Sequence, residues 1–101
     1  MNNDMVLMQL DKPRILKFTN RSMKLIEKIV GCSITKLFSR MDNLTIDEMV
    51  TIIYAGLKWD DETLTLEKVD ELLEEHSNFA GMMKSISDAL AMSMGKDIPN
   101  V

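Results

Sequence analysis

Apolar residues recur at helical spacing along most of this chain, in runs separated by residues that cap and break helices. The clearest run is Ile46, Met49, Val50, Ile53 and Leu57, which share one side of a helix, while Ile52, Tyr54 and Ala55 widen that side. A helix apolar on most sides is buried centrally, so this segment is expected to be the core helix. Thr45-Ile-Asp-Glu48 opens it as a capping box, in which the hydroxyl and the carboxylate each satisfy the other residue's backbone N–H.

The flanking segments read the same way. Thr19 or Asn20 caps a helix running to Val30, with Met23, Ile26, Ile29 and Val30 inward and Lys24, Glu27 and Lys28 toward water. Gly31 ends it by supplying a left-handed residue. Ser33 opens a short helix with Ile34, Leu37, Phe38 and Met41 on one face. After the core helix, Trp59-Asp-Asp-Glu-Thr63 is an acidic loop. Thr65 then caps a helix with Glu67 in its first turn. Leu66, Val69, Leu72 and Leu73 are expected inward, and Glu67, Asp70, Glu71, Glu74 and Glu75 form a solvated acidic face. His76-Ser-Asn78 breaks the chain. A last helix runs from Phe79 to about Met94 with Phe79, Met82, Met83, Ile86 and Leu90 in a stripe, and Gly95 and Pro99 end it.

Near the N-terminus the period changes. Met5–Leu10 and Arg14–Phe18 are strand candidates around Asp11-Lys-Pro13, which carries turn chemistry. Leu16 and Phe18 share one face, Ile15 and Lys17 the other. An isolated hairpin is marginal, so it must lie on the helices. The expected fold is mainly α: one helical domain of about five helices with a short N-terminal β-hairpin. Residues 1–18 form the hairpin segment, 19–95 the helical domain and 96–101 a frayed tail.

Composition narrows the function classes. A chain of 101 residues, 46% hydrophobic and 28% charged, has room for one modest core and is globular in type. Its formal net charge of -4 and scattered Lys and Arg give no counterion release on phosphate backbones, so nucleic acid is not an expected partner. No apolar run approaches the roughly 20 residues of a membrane span. The first residues lack a signal-peptide pattern, which leaves a soluble cytoplasmic protein as the expectation. One cysteine excludes an intrachain disulfide.

Candidate chemistry is sparse. His76 has no second ligand at metal spacing and sits at a helix C-terminus, where a partly positive imidazole is favoured in any case. Asp60-Asp-Glu62 lacks the glycine and the alternating acidic ladder of a calcium loop. Cys32 follows Gly31 between two helices, where a small buried residue fits. A reactive thiol there has only a short helix N-terminus in its favour. Phosphate loop, nucleophile elbow and dinucleotide fingerprint are absent from the sequence. The expectation is therefore a non-enzymatic protein with no cofactor and no metal, acting through a protein interface. Trp59 is a core residue or a partner anchor in equal measure. Ten methionines supply core filler or an adaptable surface. Trp59, Phe79, Met82, Met83, Ile86 and Leu90 are the candidate partner-binding residues, part of them exposed in the monomer.

Arg14-Ile-Leu-Lys-Phe-Thr-Asn-Arg-Ser-Met-Lys-Leu-Ile-Glu-Lys-Ile-Val-Gly-Cys-Ser-Ile-Thr-Lys-Leu37 resembles the opening of the phage tail assembly chaperone group related to gene-transfer-agent proteins. In that group a short basic-apolar strand leads into a helix, and a glycine and a Ser-Ile or Ser-Leu pair begin the next. Ile53-Tyr-Ala-Gly-Leu57, the acidic loop, Leu64-Thr65 and the acidic helix look like its second half. The likeness spans about residues 12 to 75 and carries no catalytic signature; the Met-rich last helix lies outside it. It implies a protein of the infected or lysogenic bacterium's cytoplasm that binds the tape measure protein, helps recruit tail tube subunits and is absent from the mature virion. Such proteins occur as short forms and as frameshifted longer forms. A second copy of the chain is another partner to consider. The competing expectation is a small helical adaptor or regulatory domain with one protein partner.

Overall fold

Burial of one helix organises the molecule. The computed structural model describes residues 6–94, and in it helix α3 (Ile46–Leu57) is the hub. Met49–Ile53 and Ala55–Leu57 are buried there. Thr45 Oγ1 accepts the Glu48 N–H at 3.1 Å and Glu48 Oε1 accepts the Thr45 N–H at 3.0 Å, so the expected capping box forms. Against α3 pack α1 (Asn20–Val30), α4 (Leu66–His76), α5 (Phe79–Met94) and strand β2 (Pro13–Leu16). A short helix α2 (Ile34–Phe38) and a 3-10 turn at Met41–Asn43 connect α1 to α3. Ile26, Leu37, Met49, Ile52, Ile53, Leu57, Val69 and Ile86 are the most deeply buried large side chains. Each contributes about 1.5–3 kcal/mol by leaving water.

Strand β1 (Val6–Gln9) pairs antiparallel with β2, with Val6 opposite Leu16 and Gln9 opposite Pro13. Val6, Met8, Arg14, Leu16 and Phe18 turn inward, and Leu7, Gln9 and Lys17 turn outward. The Lys17 N–H donates to the Gly56 carbonyl at 2.9 Å, so the strand end docks directly on α3. Gly56 permits that approach, because a Cβ there would lie 2.5 Å from Leu16 Cδ1 and 2.9 Å from Phe18 Cε1. Arg14 holds the turn. Its guanidinium donates to both Asp11 oxygens at 2.8 and 2.9 Å, and to Asp61 at 3.2 Å. The acidic loop is thus partly a fastening for the hairpin rather than purely a solvated segment.

The helix ends follow local chemistry. Thr19, Ser33 and Thr65 accept the N–H of Ser22, Lys36 and Lys68. Gly31, at φ 87°, closes α1 in the left-handed region. Asn78, read from sequence only as part of a break, accepts the Gly81 N–H at 2.7 Å and so caps α5.

Ile29, Ile46 and Leu66, expected on inner faces, are exposed, and so is Phe79, one of the candidate partner-binding residues. Ile46, Leu66 and Phe79 are each the first residue of their helix. Cα–Cβ bonds tilt toward the helix N-terminus, so a first-position side chain projects past the helix and off the neighbour it would otherwise meet. Ile29 lies one residue from the end of α1. Among the described residues no helix is long and apolar enough to cross a membrane. Met5, Gly95, Pro99 and the tail at 96–101 lie outside the described residues.

Two candidate docking surfaces

The six candidate residues do not form one surface. Ile86 is fully buried and Met82 is 7% exposed, both inside the main core, and Met83 and Leu90 are partly buried against it. Their stripe closes the domain. Only Trp59, at 42%, and Phe79, at 58%, remain open to solvent. They stand near opposite ends of α3, a twelve-residue helix about 18 Å long.

Trp59 follows the C-terminus of α3. Its indole N–H donates to the Ile15 carbonyl at 3.1 Å, and Lys17 Nζ sits 5.1 Å from the ring centroid. The ring is thereby fixed while much of its surface stays accessible. It borders a groove of about 790 Å³ with Leu25, Ala55, Arg21, Lys24 and Lys58. Lys58 is committed to the α3–α4 loop, donating to the Glu62 carbonyl at 2.9 Å and the Leu64 carbonyl at 3.3 Å.

The second surface lies at the other end of α3. Ile46 and Phe79 stand on either side of a cleft of about 270 Å³ whose walls include Val50, Leu73 and Met82, all buried. Asp70 and Glu74 of α4, with Ser77 and Asn78 after it, supply its polar lining. The volume suits one or two apolar side chains, since pockets that enclose whole small molecules measure roughly 300–1,000 Å³. Ile46 was missed as a surface residue because its place in the apolar stripe outweighed the one available signal, its position directly after the Thr45 cap.

Charge pairing fixes the start of α3 beside this cleft. Arg40 Nη1 and Nη2 donate to Glu48 Oε1 and Oε2 at 3.0 and 2.8 Å. Arg40, with the Thr45 N–H, holds the Glu48 carboxyl down at about 2. Thr63 and Arg14 lower Asp61 by hydrogen bonding to its carboxylate.

The other chemistry-bearing residues are dispersed. Cys32 is a partly buried free thiol, and the exposed His76 has Glu75 Oε1 at 3.6 Å from its Nε2. Among the described residues no three of His, Cys, Asp and Glu are arranged to hold a metal ion. No family model, no curated protein and no solved structure matches the chain.

Proposed function

We propose that this protein is a non-enzymatic phage tail assembly chaperone that binds the tape measure protein and helps recruit tail tube subunits. It would act in the cytoplasm of the bacterial host and be absent from the mature virion. The observation that carries the reading is the Ile46–Phe79 cleft, an opening with exposed apolar side chains at capped helix starts. A tape measure is a long helical chain with an apolar seam, and a cleft flanked by the exposed Ile46 and Phe79 is suited to cover part of such a seam. The resemblance supports the same reading, since its first segment runs as β2, α1, a left-handed Gly31 and α2, the strand–helix–glycine–helix order of that group.

The test is co-expression with the tape measure protein encoded by the same phage. The chain should keep that protein in the soluble fraction and co-purify with it, and Ile46→Asp with Phe79→Asp should abolish both effects. An equal soluble fraction with and without the chain defeats the proposal, as does a coding region with no long helical reading frame beside it. The small volume of the cleft favours the second reading, a helical adaptor for one partner. Under that reading a single partner co-purifies in the absence of any tail protein.

A further inference from the structure

The Ile46–Phe79 cleft is bordered by the most acidic element of the chain. Glu67, Asp70, Glu71, Glu74 and Glu75 are all exposed on α4. Glu67–Glu71, Asp70–Glu74 and Glu71–Glu75 are like charges four residues apart, which repel on a helix surface. Glu74 and Glu75 also stand in the last turn, where the helix dipole disfavours anions. Lys68 approaches Glu71 at 4.0 Å, and among the described residues Asp70 and Glu74 have no ion-pair partner. The monomer therefore keeps a charge arrangement that works against its own helix, beside an apolar opening.

We propose that this cleft binds a cationic amphipathic helix, with one or two apolar side chains inserted between Ile46 and Phe79 and Lys or Arg residues against Asp70 and Glu74. The proposal rests on the reading of the cleft as a protein-docking surface and adds the chemistry of the partner. Charge complementarity selects the basic flank, and a cation beside each of these carboxylates relieves the repulsion along α4. The helical form follows from the backbone. The only sheet among the described residues is the hairpin, and none of its residues lines the cleft. An occupant thus finds no strand edge there to pair with, which excludes strand addition and favours an occupant that satisfies its own N–H and C=O groups, as a helix does.

The probe is an acetylated, amidated peptide of about 18 leucines and lysines, with leucine at helical i, i+3, i+4, i+7 spacing, compared with its leucine–glutamate counterpart. The cationic peptide should bind the full chain at least about tenfold tighter, and weaken as salt rises from about 0.05 to 0.3 M. Asp70→Lys with Glu74→Lys should reverse the preference while leaving Tm within a few degrees of that of the unaltered protein, because a Lys–Lys repulsion replaces the Asp70–Glu74 one while the new lysines gain Glu67 and Glu71 as opposite charges three residues before them. Phe79→Ala should weaken binding of the cationic peptide with little change in Tm. Asp42→Lys with Asp60→Lys makes the same change of net charge away from the cleft and should leave affinity within about twofold.

Equal binding of the two peptides overturns the proposal, because charge then plays no part in the binding, and an equal loss from the Asp42 and Asp60 substitutions overturns it by assigning the attraction to net charge alone. Self-association of the free chain that Phe79→Asp abolishes also overturns it, and makes the occupant a second copy. A tape measure protein retained undiminished by Asp70→Lys with Glu74→Lys sinks the cleft proposal while the chaperone reading stands. Peptide binding with every expected effect, but no association with the tape measure protein, sinks the chaperone reading alone.

Discussion

Replacement of Glu48 tests how much one side chain contributes to fixing the start of α3. Its carboxylate accepts the Thr45 N–H at 3.0 Å and both Arg40 donors at 2.8 and 3.0 Å, so it caps the helix and pins the preceding turn together. The fall of its pKa from 4.5 to about 2 sets an upper limit, since each tenfold in proton affinity corresponds to about 1.4 kcal/mol. That limit is about 3 kcal/mol. The Glu48 side chain is 17% exposed and that of Arg40 39%, so solvent screening reduces the pair well below it. A bidentate pair of about 1 kcal/mol and a cap of about 1 kcal/mol give the expected size.

Glu48→Gln keeps an oxygen for the Thr45 N–H but loses the charge, and should cost about 1 kcal/mol at pH 7. Glu48→Ala loses both and should cost about 2 kcal/mol. Because the folded pKa is depressed, the charge-dependent part is fully present above the unfolded value near 4.5 and is lost as pH falls through about 2. Asp11, lowered from 3.8 to about 2 chiefly by its hydrogen bonds to Arg14, behaves in the same sense and remains in every variant. The diagnostic quantity is therefore the difference between Glu48→Gln and the unaltered protein. Urea unfolding at several pH values should show that difference shrinking toward zero between about pH 5 and pH 2. A difference independent of pH, or a coupling near zero in the double-mutant cycle with Arg40→Ala, refutes the assignment of the charge term to this pair.

Gly56→Ala should destabilise by about 1 kcal/mol in urea titration: crowding of the buried Leu16 and Phe18 costs about 1–3 kcal/mol, offset in part by about 1 kcal/mol of helix propensity. A stabilised variant would show that β2 can withdraw freely from α3. Ile86→Asp should unfold the domain, whereas Phe79→Asp should melt within a few degrees of the unaltered protein, and circular dichroism separates the two; similar losses in both would refute the division of the α5 stripe into core and surface. Micromolar calcium or zinc should leave Tm unchanged, and a rise of several degrees would reveal a site built in some other way.

The α3 capping box, the Thr19, Ser33 and Thr65 caps and the Gly31 stop are each determined by residues within about a turn of one another. Their energetics are local, and the sequence alone was enough to place five helices and a hairpin. The same holds for Leu16 and Phe18 sharing one face, because alternation in a strand is a local property, whereas burial of that face depends on docking against α3. What covers each face is different in kind. Ile46, Leu66 and Phe79 belong to apolar stripes by spacing, yet each begins its helix and points past the neighbouring elements, a fact that depends on where those elements end. The pairing of Arg14 with Asp61 across 47 residues, the docking of Lys17 on Gly56 and the split of the α5 stripe between core and surface likewise arose only when separate elements met. Periodicity fixes which side of a helix is apolar; only tertiary packing decides how much of that side is covered, and so where an open apolar cleft remains beside the acidic face of α4.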